Sequence, residues 1–487
     1  MKRLINFYAL FLNLMGAFLA LPLVTALIYG EKTPVRAFAL VMAACFAAGL
    51  LMYFTNREDL SDMEMKPRET FFIVATTWII ASAIGCVPYM LTGAIPDPFD
   101  AFFETCSGFT TTGATIIDDV EVLPRSVLLW RSLTQWLGGM GIIVLFVALL
   151  PRFGIKARNI ASAETPGPTV TKLTSRFTGT AQRLYIAYII LTAALALFLM
   201  GGHLSFYDSV NHALTTMATG GFSTYADSIA HFGSDYVVWV ITAFMFLAGT
   251  NFELFFVIAD GHPLRALKNE EFRLYVKIIA VSVAAIAAAL MMKGGYSSLY
   301  TAVKDSAFQV ITIMTTTGYA TADFDLWPVF CRILLVILMF IGGSSSSTAG
   351  GVKVIRVLVL LKMIKKEINI KLHGNIVNDI SIGEQKIYSA TLTHITAFVT
   401  LYLFTLMAGT FLISITGSGD LVTNFTAVLS CISNVGPGLG GVGPVRTYSF
   451  YDGFSTSVLS LVMVAGRLEL STFFIIFSRF FWDPNRV

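Results

Sequence analysis

The 487-residue chain is 55% hydrophobic and only 13% charged, with a mean hydropathy of +0.73. That balance puts most of it in lipid and excludes an ordinary soluble enzyme. The formal net charge of +3 says less than the way the charges are distributed.

In chain order, apolar stretches able to cross a hydrocarbon layer of ~30 Å fall at about 4–30, 36–54, 70–92, 127–150, 183–202, 236–260, 272–293, 330–362, 388–414 and 454–480. They predict ten transmembrane helices. The first begins with Lys2 and Arg3, yet it is too long for a signal h-region and no small-residue cleavage site follows, so it is expected to remain as an anchor. The connection 151–183 carries Arg152, Lys156, Arg158, Lys172, Arg176 and Arg183 against Glu164. The connection 353–386 carries seven Lys/Arg against Glu367, Asp379 and Glu384. The positive-inside rule places both in the cytoplasm, and with ten spans both termini are cytoplasmic. The alternate connections 94–125 and 202–235 are acidic, with Arg125 their single basic residue. They face outward, where their field concentrates cations.

Each of the last four outward connections holds a partly apolar run too short to span, then a polar tip centred on glycine: Thr110-Thr-Thr-Gly113, Met217-Ala-Thr-Gly220, Thr315-Thr-Thr-Gly318 and Ser433-Asn-Val-Gly436. The glycines lie 107, 98 and 118 residues apart, which marks a fourfold repeat. Downstream, a second mark interrupts each following helix: Gly138-Gly139, Ala248-Gly249, Gly342-Gly343 and Ala465-Gly466. One such tip alone is a Thr-rich turn, and one glycine pair alone is a close helix contact; four copies of both in register define a unit. The predicted organisation is residues 1–69 as an extra helix pair and cytoplasmic link, then pore repeats 70–155, 156–262, 263–366 and 367–487. The fold class is therefore all-α integral membrane, with four re-entrant pore loops in pseudo-four-fold helix–pore loop–helix repeats. Non-helical backbone at membrane depth survives only where protein buries it or water lines it, so the four loops are expected to meet around one axis.

A potassium filter replaces hydration water with rings of backbone carbonyls, and turning successive carbonyls to one axis needs conformations that a β-carbon resists. The residues expected to bind the ion are Thr111, Thr112 and Gly113; Ala218, Thr219 and Gly220; Thr316, Thr317 and Gly318; and Asn434, Val435 and Gly436. In the third unit the helix mark opens into Gly342, Gly343, Ser344, Ser345, Ser346, Ser347, Thr348, Ala349, Gly350 and Gly351. Ten small residues hold a helix poorly. The segment reads as an unwound gate beneath the filter, with a tight-packing small-residue face as the alternative. Arg467, directly after the fourth helix glycine, is costly at membrane depth; it reads as a barrier in the pore, as one half of an ion pair with Glu253 or Glu469, or as both.

The five cysteines, Cys45, Cys86, Cys106, Cys331 and Cys431, form no CxxC pair and read as packing residues. The histidines show no metal-ligand spacing. No nucleophile constellation, phosphate loop or catalytic carboxylate pair is present, so no enzyme is expected.

The four tips, the Gly342–Gly351 segment ahead of Val352-Lys353-Val-Ile-Arg356, and Gly466-Arg467-Leu-Glu469 together resemble the Trk/Ktr/HKT superfamily of potassium-translocating subunits over essentially the whole chain. Residues 1–69 point to its bacterial Trk branch. The resemblance implies a homodimer with one pore per protomer in the bacterial cytoplasmic (inner) membrane, and a TrkA-like cytoplasmic nucleotide-binding regulatory subunit beneath the basic loops. It implies no nucleic-acid partner and no cofactor, with potassium as the only ligand. It also carries filter roles onto Gly113, Gly220, Gly318 and Gly436, a gating role onto Gly342–Gly351, and a pore-facing role onto Arg467. A serine in place of the first filter glycine resembles the sodium-preferring members; Gly113 favours potassium. Two alternatives stay open: a weakly selective potassium/sodium pathway, and a sodium- or proton-coupled symporter using Glu253, Glu469 or His394.

Overall fold

A computed structural model describes residues 2–56, 67–141, 177–293, 295–374, 379–383 and 385–482. Most of the basic connection 151–183 and of the link after the first helix pair lies outside the described residues. Helices α1 (Lys2–Tyr29) and α2 (Lys32–Thr55) pack against each other as a hairpin.

Four similar units follow. The first comprises α3 (Pro67–Gly85), α4 (Val87–Thr92), the short α5 (Pro98–Phe109) and α6 (Arg125–Gly139). The second comprises α7 (Phe177–Gly201), the short α8 (Phe206–Met217), α9 (Asp235–Ala248) and α10 (Glu253–Ala259). After the connecting α11 (Pro263–Leu267), the third has α12 (Glu270–Lys293), the short α13 (Leu299–Met314), α14 (Val329–Ile341) and α15 (Val354–His373). A two-stranded hairpin, Ser381–Ile382 with Gln385–Lys386, leads to the fourth: α16 (Ser389–Ser414), the short α17 (Leu421–Ser433), α18 (Gly453–Arg467) and α19 (Leu470–Ile475).

The short helices start where a side chain caps them: Asp97, Ser205, Ser298 and Asp420 accept backbone N–H groups from α5, α8, α13 and α17, each an N-cap. At 12, 12, 16 and 13 residues and 1.5 Å per residue they fall short of a bilayer core of ~30 Å. The helix after each tip starts in two ways. Proline precedes α6 and α14, at Pro124 and Pro328, whereas Ser234 and Asp452 cap α9 and α18.

Among the described residues, six helices are continuous and apolar enough to span: α1, α2, the α3–α4 segment, α7, α12 and α16. The other four predicted spans are not single helices. The chain bends by 97° between α9 and α10, α14 ends at Ile341, and α18 ends at Arg467. In the stretch 127–150, α6 ends at Gly139, and the part beyond 141 is outside the described residues. Each break falls at or beside the small-residue mark. The cause is contact: a β-carbon on Gly138 would lie 1.7 Å from the Phe109 carbonyl oxygen, and one on Gly466 2.1 Å from that of Ile432. Both glycines let the long helix rest on the end of its own unit's short helix, the close approach that glycine permits.

Candidate ion-binding ring

The four short helices end alike. Thr111, Thr219, Thr316 and Asn434 take left-handed φ values of 56°, 54°, 56° and 56°, and each donates its N–H to the carbonyl three residues back. The next residue reaches five back: Thr112 to Ser107, Gly220 to Thr215, Thr317 to Thr312 and Val435 to Ser430, at 2.8–2.9 Å. This is the Schellman cap, made four times with a non-glycine residue in the left-handed position. Positive-φ glycines follow at Gly113, Gly221, Gly318 and Gly436, with φ of 79°, 78°, 83° and 102°.

This pattern corrects the register in the second unit. Gly220 occupies the place of Thr112, Thr317 and Val435, and Gly221 is the counterpart of the other three glycines. The adjacent pair Gly220-Gly221 hides the offset from any reading based on spacing alone.

The loops meet in a closed cycle. A β-carbon on Gly113 would lie 2.1 Å from the carbonyl oxygen of Gly220, one on Gly221 1.9 Å from that of Thr317, one on Gly318 2.1 Å from that of Val435, and one on Gly436 2.7 Å from that of Thr112. Each unit thus touches the next in chain order, and the fourth returns to the first. A cavity of about 130 Å³ touches all four glycines and continues past Asp118, Tyr225, Arg446 and Thr447. At the entrances to the fourth unit, hydrogen bonds from Thr423 and Ser455 hold the Asp420 and Asp452 carboxyls below the usual carboxylate range.

Behind the first two loops lies a buried ion pair. Glu104 and Arg131 are 0% and 2% exposed and 2.8 Å apart. Glu104 also accepts from Thr115 Oγ1 and the Ile116 N–H, each at 3.0 Å, while Arg131 donates to the Ser223 carbonyl and covers the Phe222 ring. One pair therefore braces the outgoing strands of two loops. Sequence reasoning missed it, having placed Glu104 among the outward acids and Arg131 inside a span.

Residues 342–353 are non-helical and seated against the ring. The Gly350 N–H donates to Thr316 Oγ1 at 2.7 Å, and a β-carbon on Gly350 would lie 2.0 Å from the Ser433 carbonyl oxygen. The Ser344 N–H donates to the Gly249 carbonyl at 3.0 Å, and Ser346 accepts from the Phe252 N–H at 3.1 Å. Ser345 donates through N–H and Oγ to Glu271 at 2.6 and 2.7 Å. Lys353 Nζ donates back to the Ala349 carbonyl.

Arg467 ties three units together. Nη2 donates to the carbonyls of Gly138 and Gly139 at 2.6 Å each, and Nη1 to Thr348 at 2.9 Å. Glu469, one of its two expected partners, is paired with Arg356; Glu253 and His394 lie on exposed faces. Histidine spacing also understated one grouping, since His231, Asp227 and Glu121 place ligand atoms within 4.8 Å of one another on an exposed surface.

A helical membrane protein that closes a four-unit ring of glycines and carbonyls in its interior is of the class that moves cations. The family model described as cation transport protein, TrkH, matches residues 34–483, and the chain belongs to that family, one of transporters rather than enzymes. It is 33% identical over 484 residues to the Trk system potassium uptake protein TrkH of Escherichia coli K12, covering 99% of each chain. To TrkH of Vibrio parahaemolyticus it is 34% identical over 488 residues, again covering 99% of each. The crystal structure of the potassium transporter TrkH from Vibrio parahaemolyticus superposes with a TM-score of 0.88 at 32% identity over 99% of both chains.

Proposed function

We propose that the protein takes up potassium across the bacterial cytoplasmic membrane through the ring, which acts as a selectivity filter, and that residues 342–353 with Arg467 form its gate. The closed cycle of four loops carries the reading: it gathers backbone oxygens from four units in one interior place, the arrangement by which carbonyls replace the hydration shell of a monovalent cation. The ion-contacting set is Thr111 to Gly113, Thr219 to Gly221, Thr316 to Gly318 and Asn434 to Gly436. The chain is then ten membrane crossings with four re-entrant pore loops, the crossing after each loop being the broken helix, divided near 69, 155, 262 and 366.

The gate rests on contact. The 342–353 segment touches Thr316 and Ser433, two or three residues before the glycines that line the cavity, so it closes the ring from the opposite side. Arg467 adds a fixed positive charge there. The positive-inside rule puts both termini in the cytoplasm. A homodimer and a nucleotide-binding regulatory subunit, the latter docked near the hairpin 381–386, complete the assembly. Proton- or sodium-coupled symport is the weaker reading, because Glu469 is already paired and Glu253 and His394 lie on exposed faces.

The test is rubidium-86 uptake into potassium-loaded liposomes holding the purified protein, with potassium, sodium or lithium as external competitor. Competition by potassium well above that by sodium supports the filter. Equal competition by all three overturns it, and uptake that follows an imposed sodium or proton gradient moves the reading to symport.

A further inference from the structure

The ring is fourfold in backbone but not in what holds its oxygens. In units one and three the two threonines flanking the left-handed residue pair with each other, Thr110 with Thr112 and Thr315 with Thr317, both at 2.8 Å. Units two and four, Ala218-Thr-Gly220 and Ser433-Asn-Val435, have no second threonine to do so. Instead, side chains hold one ring carbonyl in each, from unit one at Gly220 and from unit four itself at Gly436. Gln135 Nε2 donates to the Gly220 oxygen at 2.6 Å, while its Oε1 accepts from the Phe222 N–H at 3.1 Å. The Gly436 oxygen accepts two hydroxyls, Ser430 Oγ at 2.7 Å and Tyr448 Oη at 2.8 Å.

The contrast with the sister units is direct. Ser107 and Thr312 stand six residues before Gly113 and Gly318, as Ser430 does before Gly436. Their buried hydroxyls have no partner among the described residues, so neither restrains its glycine carbonyl. Because the units join in chain order, the first stands opposite the third and the second opposite the fourth. The two restrained carbonyls belong to one opposed pair of units, one at each level of the ring.

We propose that Gln135, Ser430 and Tyr448 are positioning residues that set ion preference by restraining one carbonyl in each of units two and four, leaving units one and three as the strong ligands at both levels. The inference rests on the filter reading of the ring. A carbonyl with both lone pairs engaged by hydroxyls, as at Gly436, has little left for a cation, and selectivity depends on the number and field strength of the coordinating oxygens. The outer level therefore offers three full ligands instead of four, which weakens discrimination for potassium over the smaller sodium.

The test is the rubidium-86 assay with external potassium or sodium as competitor, on Ser430→Ala, Tyr448→Phe and the double variant, with Ser107→Ala as control. Freeing the Gly436 carbonyl should lower the half-competing potassium concentration about fivefold, the equivalent of one net hydrogen bond, with sodium's unchanged and Ser107→Ala matching the parent. An unchanged potassium-to-sodium ratio in variants that still take up rubidium overturns the proposal, as does an equal shift in Ser107→Ala. If the double variant fails to assemble, the two single variants decide by the same ratio. A parent protein with no potassium preference would instead overturn the filter reading itself.

Discussion

Arg131 is buried and Arg467 half-buried, and the sequence disclosed only the second. Arg467 stands in the open pattern, directly after a helix glycine that three sister units share. Arg131 and its partner Glu104 are 27 residues apart on different helices, and only tertiary packing brings them together. Arg131→Leu leaves a carboxylate buried without its cation, a loss of about 3–5 kcal/mol, and is expected to lower the melting temperature in detergent sharply. Pairing Arg131→Leu with Glu104→Gln should recover part of that stability, and no recovery would mean that the arginine acts through its contact with Phe222 instead. Arg467→Ala removes three charge-assisted bonds to the carbonyls of Gly138, Gly139 and Thr348 together with a positive charge. With the protein folded, rubidium flux is expected to rise; unchanged flux would make the side chain a strut between units and nothing more.

At the scale of elements, the short helices and the broken helices differed in how far they could be read. The short ones announce themselves through capping residues and polar tips, and their existence was legible from composition and length. The breaks were legible in place, at the small-residue marks, but not in geometry. An apolar run such as 236–260 looks the same whether continuous or bent by 97°, because hydropathy does not register that Thr315 packs on Gly249 or that Phe109 packs on Gly138. Gly466→Ala puts a methyl group 2.1 Å from a backbone oxygen of α17, where neither helix can yield cheaply, so a marked drop in the yield of folded protein is expected on size exclusion. Normal yield would mean that α17 and α18 can slide apart. The segment 342–351 was legible as non-helical from its small residues. Its seat was not, since it rests on partners in three units: Gly249 in the second, Glu271 and Thr316 in the third and Ser433 in the fourth. Deleting several residues of 344–349 removes the bonds to Glu271 and Gly249 and should raise rubidium uptake; flux equal to the parent's would show that the segment does not obstruct the path.

For the whole molecule, the fourfold repeat and the meeting of its loops around one axis could be read in the sequence, but the contacts that close the ring could not, because closure depends on which residue of each loop faces which neighbour. The one-residue shift in the second unit makes the difference measurable. Gly221 sits at a seam: its φ of 78° disfavours a side chain, and a β-carbon there would lie 1.9 Å from the Thr317 oxygen of the next unit. Gly220 has no such φ, and the atoms nearest a β-carbon on it belong to the Gln135 side chain, at 2.3 Å and beyond. A flexible amide can give way where a backbone carbonyl in the ring cannot. Gly221→Ala is therefore expected to abolish the potassium preference of rubidium uptake as completely as Gly113→Ala or Gly318→Ala, the other two seams with oxygens 2.1 Å away. Gly220→Ala displaces the Gln135 amide that restrains the Gly220 carbonyl, so the preference should be kept or strengthened. If the two second-unit substitutions were equally damaging, the seam between units two and three would not depend on Gly221 alone; if only Gly220→Ala were damaging, the register drawn from the left-handed residues would be wrong and the order of contacts around the ring would have to be redrawn.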